Sequence, residues 1–203
     1  MNKIIILVIA FSLSALHSLG QSGQNNVVYI IDSVSVIEDL GEGDISPNDI
    51  ADITVIRSKD TLNRLGYGQY DGAIYIFTKA YRNRPDSLKQ IPSSIQMEKK
   101  NDVWFFHGVP YSGRFIDYYY SGNIEGEGTF AAGKVTGLRT MYYQNGKIKV
   151  ERNYKDGLEN GLDKEYYEDG TLNQKGEFLN GKEEGIWEEY YPNGQVKTTQ
   201  QLP

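Results

Sequence analysis

Cysteine is absent from this chain, which excludes a disulfide framework, thiolate chemistry and lipid attachment through sulfur. Histidine is almost absent. The two present are His17 and His107, and His107, beside a turn and without a cysteine partner, reads as structural or exposed rather than as a metal ligand. Basic charge is in deficit, 21 Lys+Arg against 27 Asp+Glu for a net charge of −6, which speaks against nucleic acid as a partner. The acids are largely interleaved with lysines, as on a solvated sheet face. Where they cluster, at Glu38, Asp39, Glu42 and Asp44, the alternating oxygen spacing of a calcium loop is missing. Long apolar runs are also lacking. The longest, Ile4 to Leu16, is 13 residues and short of the roughly 20 that span a bilayer as a helix. With Lys3 before it and Ser18-Leu19-Gly20 behind, residues 1–20 read as a secretory signal peptide, leaving a mature chain from Gln21. Retention as a membrane anchor is the alternative.

What the chain has in abundance is glycine and tyrosine, and both are periodic. Gly113, Gly137, Gly161 and Gly185 recur every 24 residues, in step with Tyr118-Tyr119, Tyr142-Tyr143, Tyr166-Tyr167 and Tyr190-Tyr191. A fixed period of this length marks a repeat array whose units bury their apolar faces only against neighbours. Two turn signals fall within each period. Ser121-Gly122, Asn145-Gly146, Asp169-Gly170 and Asn193-Gly194 form one series, and Ala132-Gly133, Asp156-Gly157 and Asn180-Gly181 the other. Asn-Gly and Asp-Gly between alternating segments are hairpin signals, so the array is expected as an up-and-down meander of β-hairpins.

The faces follow from loop length. A three-residue loop Gln144-Asn145-Gly146 gathers Leu138, Leu162, Ile186 with Tyr142, Tyr166, Tyr190 on one apolar side, together with Ile124, Ile148, Leu172, Val196 and with Phe130, Tyr154, Phe178. That leaves Tyr119, Tyr143, Tyr167 and Tyr191 as a spaced row on the polar face, the candidate binding face for an extended chain or successive sugar rings. No catalytic constellation accompanies it. Glu183-Glu184 and Glu188-Glu189 resemble paired carboxylates, but their counterparts one or two periods back are Glu159, Asn160, Thr140 and Met141. No enzymatic activity, cofactor or metal is expected.

The string Tyr142-Tyr143-Gln144-Asn145-Gly146-Lys147-Ile148, followed by Tyr154-Lys155-Asp156-Gly157-Leu158-Glu159-Asn160-Gly161, resembles the bacterial variant of the MORN repeat, a membrane occupation and recognition nexus motif. The resemblance spans residues 103–203, with Phe105-Phe106-His107-Gly108 as a leading half-repeat and Val103 to Phe106 as the first strand. It implies a scaffold or contact surface for proteins or lipids, and such copies are often described as antitoxin-like. The Gly-x-Gly pair of the eukaryotic form appears once, at Gly126 and Gly128.

Ahead of the array, residues 27–79 read as a small α+β unit. Strands are expected over Val27 to Ile31, Ser33 to Ile37, Ile53 to Ile56 and Ala73 to Lys79, with a short helix from Pro47 capped by Ser46. Ser46 to Ile50, Val55 to Asp60, Tyr67-Gly68 and Gly72 to Lys79 are similar to the C-terminal half of a TonB-dependent receptor plug domain, with Ser33 where that family has glycine and with no barrel following. The likeness implies an exported envelope protein. Residues 80–102 read as a linker, with one helical turn open to the stretch Asp86 to Gln90. The expectation is thus a mainly β protein, a small α+β unit followed by a single-layer antiparallel meander. Its expected role is an exported interaction scaffold of the periplasm or outer membrane of a Gram-negative bacterium. Its partner would be an envelope protein, with a glycan, a membrane surface or a sequestered toxin as alternatives.

Overall fold

The computed structural model describes residues 26–36 and 45–202. The signal-peptide segment and the acidic residues Glu38 to Asp44 lie outside the described residues. The chain divides into two units, residues 1–84 and 85–203.

In the first unit, β1 (Val27–Ile31) turns back on β2 (Val34–Val36) through Asp32 and Ser33, both at positive φ (49° and 73°). This two-residue turn favours glycine or asparagine. The turn is held by the Asp32 carboxylate, which accepts from the Thr78 N–H and hydroxyl at 2.7 Å each, and the Ser33 hydroxyl lies 3.0 Å from that of Tyr81. Parallel to β1 runs β4 (Gly72–Thr78), whose other side pairs antiparallel with β3 (Ile50–Ile56), giving the order β2-β1-β4-β3. A parallel pair needs a crossover. The 3-10 turn Pro47–Asp49 with Ser46 as its N-cap, β3 and the helix Lys59–Arg64 lie on the way. That helix was not anticipated, although Ser58 caps it by accepting from the Thr61 N–H. It drives Leu62 into a core of Val28, Ile30 and Ala73.

Residues 80–102, expected as a linker, are structured instead. They hold most of the helix Lys79–Asn83, the helix Asp86–Lys89, a 3-10 turn Ser94–Gln96 closed by a Ser93/Gln96 capping box, and β5 (Glu98–Lys100). Val103 to Phe106 also departs from expectation. It forms β6 (Val103–Phe106) in a separate sheet with β5 and β7 (Val109–Pro110), turned at His107-Gly108. The reason is packing. Trp104, Phe106 and Tyr111 close over Met97, Phe115 and Phe130, with Trp104 and Phe130 ring centroids 5.8 Å apart.

The array proper is an eight-stranded antiparallel meander in chain order. It comprises β8 (Gly113–Tyr118), β9 (Ile124–Ala131), β10 (Lys134–Tyr142) and β11 (Ile148–Lys155). It continues with β12 (Leu158–Tyr166), β13 (Leu172–Leu179), β14 (Lys182–Tyr190) and β15 (Val196–Leu202). At one end the turns are two-residue pairs with both φ positive, such as Asp156-Gly157 at 53° and 87°. At the other end the Gly146 N–H donates to the Tyr143 carbonyl and the Tyr143 N–H to the Lys147 carbonyl, with Gly146 at φ 80°. This is the expected three-residue loop.

The loop carries a bulge that the expected faces omit. Met141 pairs with Val150 but Tyr142 with Ile148, so Lys149 has no partner, and Glu125, Asn173 and Lys197 are skipped in the same way. A skipped residue exchanges the faces beyond it. Phe130, Tyr154 and Phe178 therefore lie on the face opposite Ile148 and Tyr142, correcting the single apolar side expected from the sequence.

Candidate functional site

The four candidate tyrosines, Tyr119, Tyr143, Tyr167 and Tyr191, each flank a three-residue loop. Three do not present free hydroxyls. Tyr119 donates to the Tyr142 carbonyl at 2.7 Å, Tyr143 to that of Tyr166 at 2.6 Å and Tyr167 to that of Tyr190 at 2.7 Å. Each bond crosses to the second strand along, so each repeat is tied to the next. Among the described residues the Tyr191 hydroxyl makes no such bond, and the side chain is 49% exposed. Lys149 also sits over the Tyr143 ring, its nitrogen 5.7 Å from the centroid.

The two sheet faces differ in kind. On the first, a row of residues in register crosses the array, Phe115, Gly128, Arg139, Arg152, Asp163, Gly176 and Trp187. Large side chains alternate with glycine. Phe115 lies over Gly128 and the Trp187 indole over Gly176, so a Cβ at either glycine would overlap a ring. Between them Asp163 is fully buried and paired with Arg152, which also reaches Glu165 at 3.0 Å and stacks over Phe178. Burial weakens the Arg152 charge, but the Asp163 hydrogen bond and charge outweigh it and hold the proton more firmly than usual. This polar pair was missed from the sequence, since a lone Asp at Asp163, where the same phase has Arg139 and Trp187, carries no periodic signal.

The second face carries Tyr142, Tyr166 and Tyr190, half-buried beside Ile148, Leu172 and Val196. Their hydroxyls donate to Glu127, Glu151 and Glu188 at 2.9, 2.7 and 3.0 Å. Burial first, then the bond to Glu151, pushes the Tyr166 phenol up to about 12, and Tyr142 is raised for the same reasons with Glu127 as its acceptor. Lys175 donates to Glu188 at 2.8 Å, which raises the lysine and lowers the carboxyl. Further along this face Leu138, Leu162 and Ile186, expected as core, stand 49%, 41% and 58% exposed. The pattern placed them on one side but could not show that no second layer covers it.

Among the described residues no group of three or more histidine, aspartate or glutamate side chains is placed to hold a metal ion, and no helix is long and apolar enough to cross a membrane. The second unit is thus a tandem β-hairpin repeat protein by class, built on one eight-stranded sheet with polar and aromatic side chains tied from repeat to repeat. Its last three periods, residues 135–156, 159–180 and 183–201, match the family described as MORN repeat variant. Such repeats generally serve protein or membrane interactions. No curated protein matches the chain. Among solved structures, the accessory secretory protein 1, 2 and 3 structure from Streptococcus pneumoniae is similar at 19% identity over 68% of this chain, with a TM-score of 0.30. The chain covers 26% of that structure's chain.

Proposed function

We propose that this protein is a non-enzymatic interaction scaffold, exported to the envelope of a Gram-negative bacterium, that holds a protein partner against its repeat sheet. One observation carries the reading. Leu138, Leu162 and Ile186 recur at the repeat period on the second face, each more than two-fifths exposed among the described residues. Exposed apolar side chains in a regular row mark an interaction site more often than scattered ones do. The apolar run Ile4 to Leu16 behind Lys3 supports export. The tied hydroxyls of Tyr119, Tyr143 and Tyr167 favour the leucine face over the loop tyrosines as the contact surface, and a protein over stacked sugars.

The test is site-directed photo-crosslinking from the full chain in envelope preparations. A crosslinker at Leu162 should give a discrete protein adduct, and one at Tyr154, on the opposite face, should give none. Equal adducts from both positions, or lipid adducts alone, would overturn the reading. Intact mass from the same fraction should show a chain beginning near Gln21.

A further inference from the structure

Along the second face the same structural position changes chemistry from repeat to repeat. Thr129 stands directly opposite Thr136, and Glu177 directly opposite Glu184. The intermediate period has Asn153 and Asn160 at these positions. Hydroxyls and amides can bond one another, whereas carboxylates placed opposite on adjacent strands repel. At several other positions the array sets opposite charges together, Glu151 with Lys164, Arg152 with Asp163 and Lys175 with Glu188, although on the first face Arg139 also stands opposite Arg152. Among the described residues neither Glu177 nor Glu184 has an ion-pair partner. The surroundings share the bias. Residues 156–203 hold eleven acidic and four basic side chains, net −7, against seven acidic and ten basic over 85–155, net +3.

The opposed carboxylates have exposed apolar side chains beside them, with Lys175 and Lys182 two residues away along their strands. Glu177 is in register with Leu162, while Ile186 is on the next strand of the same face, and Leu179, 50% exposed, sits beside the turn. Leu162 and Ile186 are two strands apart, about 10 Å. A segment lying on a sheet face cannot use the sheet's backbone hydrogen bonds, so it must satisfy its own, and a helix does so. Two helical turns advance about 10.5 Å, which matches the apolar spacing, with the intervening positions above the carboxylates.

We infer that the second face of the last two repeats docks a basic amphipathic helix of the protein partner, with leucine-like side chains over Leu162 and Ile186 and lysine or arginine between Glu177 and Glu184. The inference rests on the scaffold reading and names the chemistry of its occupant. An anionic membrane is the disfavoured occupant, since this end of the array would repel it.

The experiment uses the full chain and a fluorescent synthetic peptide of about three Leu/Lys heptads, with a Leu/Glu peptide as counterpart, both followed by anisotropy. The Leu/Lys peptide should bind and the Leu/Glu peptide should not. Glu177→Gln with Glu184→Gln should weaken binding by about tenfold, a loss typical of one desolvated charge contact, and Ile186→Ser should weaken it similarly. Glu168→Gln with Asp169→Asn, the same charge change in a loop, should leave it within about twofold. Circular dichroism of each variant checks the fold, and the Glu pair variant should melt no lower than the parent because a repulsion is removed. Equal weakening by the loop variant would reduce the effect to diffuse charge and overturn the site, as would tight binding to phosphatidylglycerol vesicles that displaces the peptide. Failure of the peptide with a persistent Leu162 crosslink to a protein would sink the helix inference alone. Loss of both would sink the scaffold reading as well.

Discussion

Glycine at Gly176 is required by its neighbour rather than by its own backbone. Its φ is ordinary, but the Trp187 indole lies across it, as Phe115 does across Gly128. Gly176→Ala should therefore displace the indole and cost about 1–3 kcal/mol, the usual range for overpacking, measured by urea unfolding. Gly185→Ala meets nothing within 4 Å, so its cost would come only from its φ of 71°. The tyrosines of the second face predict a pH dependence. Tyr166 is raised to about 12 in the fold. A phenol raised above its unfolded value of about 10 contributes stability that is fully present below that value and is lost as pH rises toward the folded one. Stability should fall between roughly pH 10 and pH 12, and Tyr166→Phe should flatten that part of the profile. Phenolate absorbance in the folded chain should lag that in denaturant, and coincident curves would contradict the assignment.

At the scale of the hairpin, the inter-repeat bonds separate tyrosines that look equivalent in sequence. Tyr167→Phe removes a hydroxyl bonded to the Tyr190 carbonyl, and the loss should be about 0.5–1.5 kcal/mol. Tyr191→Phe, at a hydroxyl without such a bond among the described residues, should leave the melting temperature unchanged. Equal shifts for the two would show that the bonds contribute nothing. The hairpins themselves were legible. Asn145-Gly146 and Asp156-Gly157 place glycine where positive φ is needed, and the structure uses both turns as expected. The bulge at Lys149 was not legible, because a skipped residue leaves the polar/apolar alternation intact on either side and only the register reveals it. Strand Val103–Phe106 misled for another reason. Its apolar run fits an array strand and a packing lid equally well, and only the rings of Trp104 and Phe130 distinguish them. The candidate tyrosine row flanks the three-residue loops, but hydroxyl bonds to a carbonyl 23 residues onward leave no local trace in sequence.

For the whole array, stability should follow the repeat. Deleting residues 137–160 removes one 24-residue period and preserves strand direction, loop phase and the Tyr119-type bond to the next unit. A shorter folded array should result. Deleting only 12 residues from the same place reverses the following strands and should unfold the unit. Identical circular dichroism and melting for the two deletions would contradict a hairpin-per-repeat architecture. The ends of the sheet are unlike one another. On the side of β8, Ile116 donates its N–H to the Pro92 carbonyl, and Asp117 accepts from Ser93 and Ser94, so that edge is already occupied. On the far side β15 pairs with β14 alone. Among the described residues, pairing of this sheet is thus closed at β8 and open along β15, so a strand added in trans would find a row of unpaired N–H and C=O groups at the β15 edge.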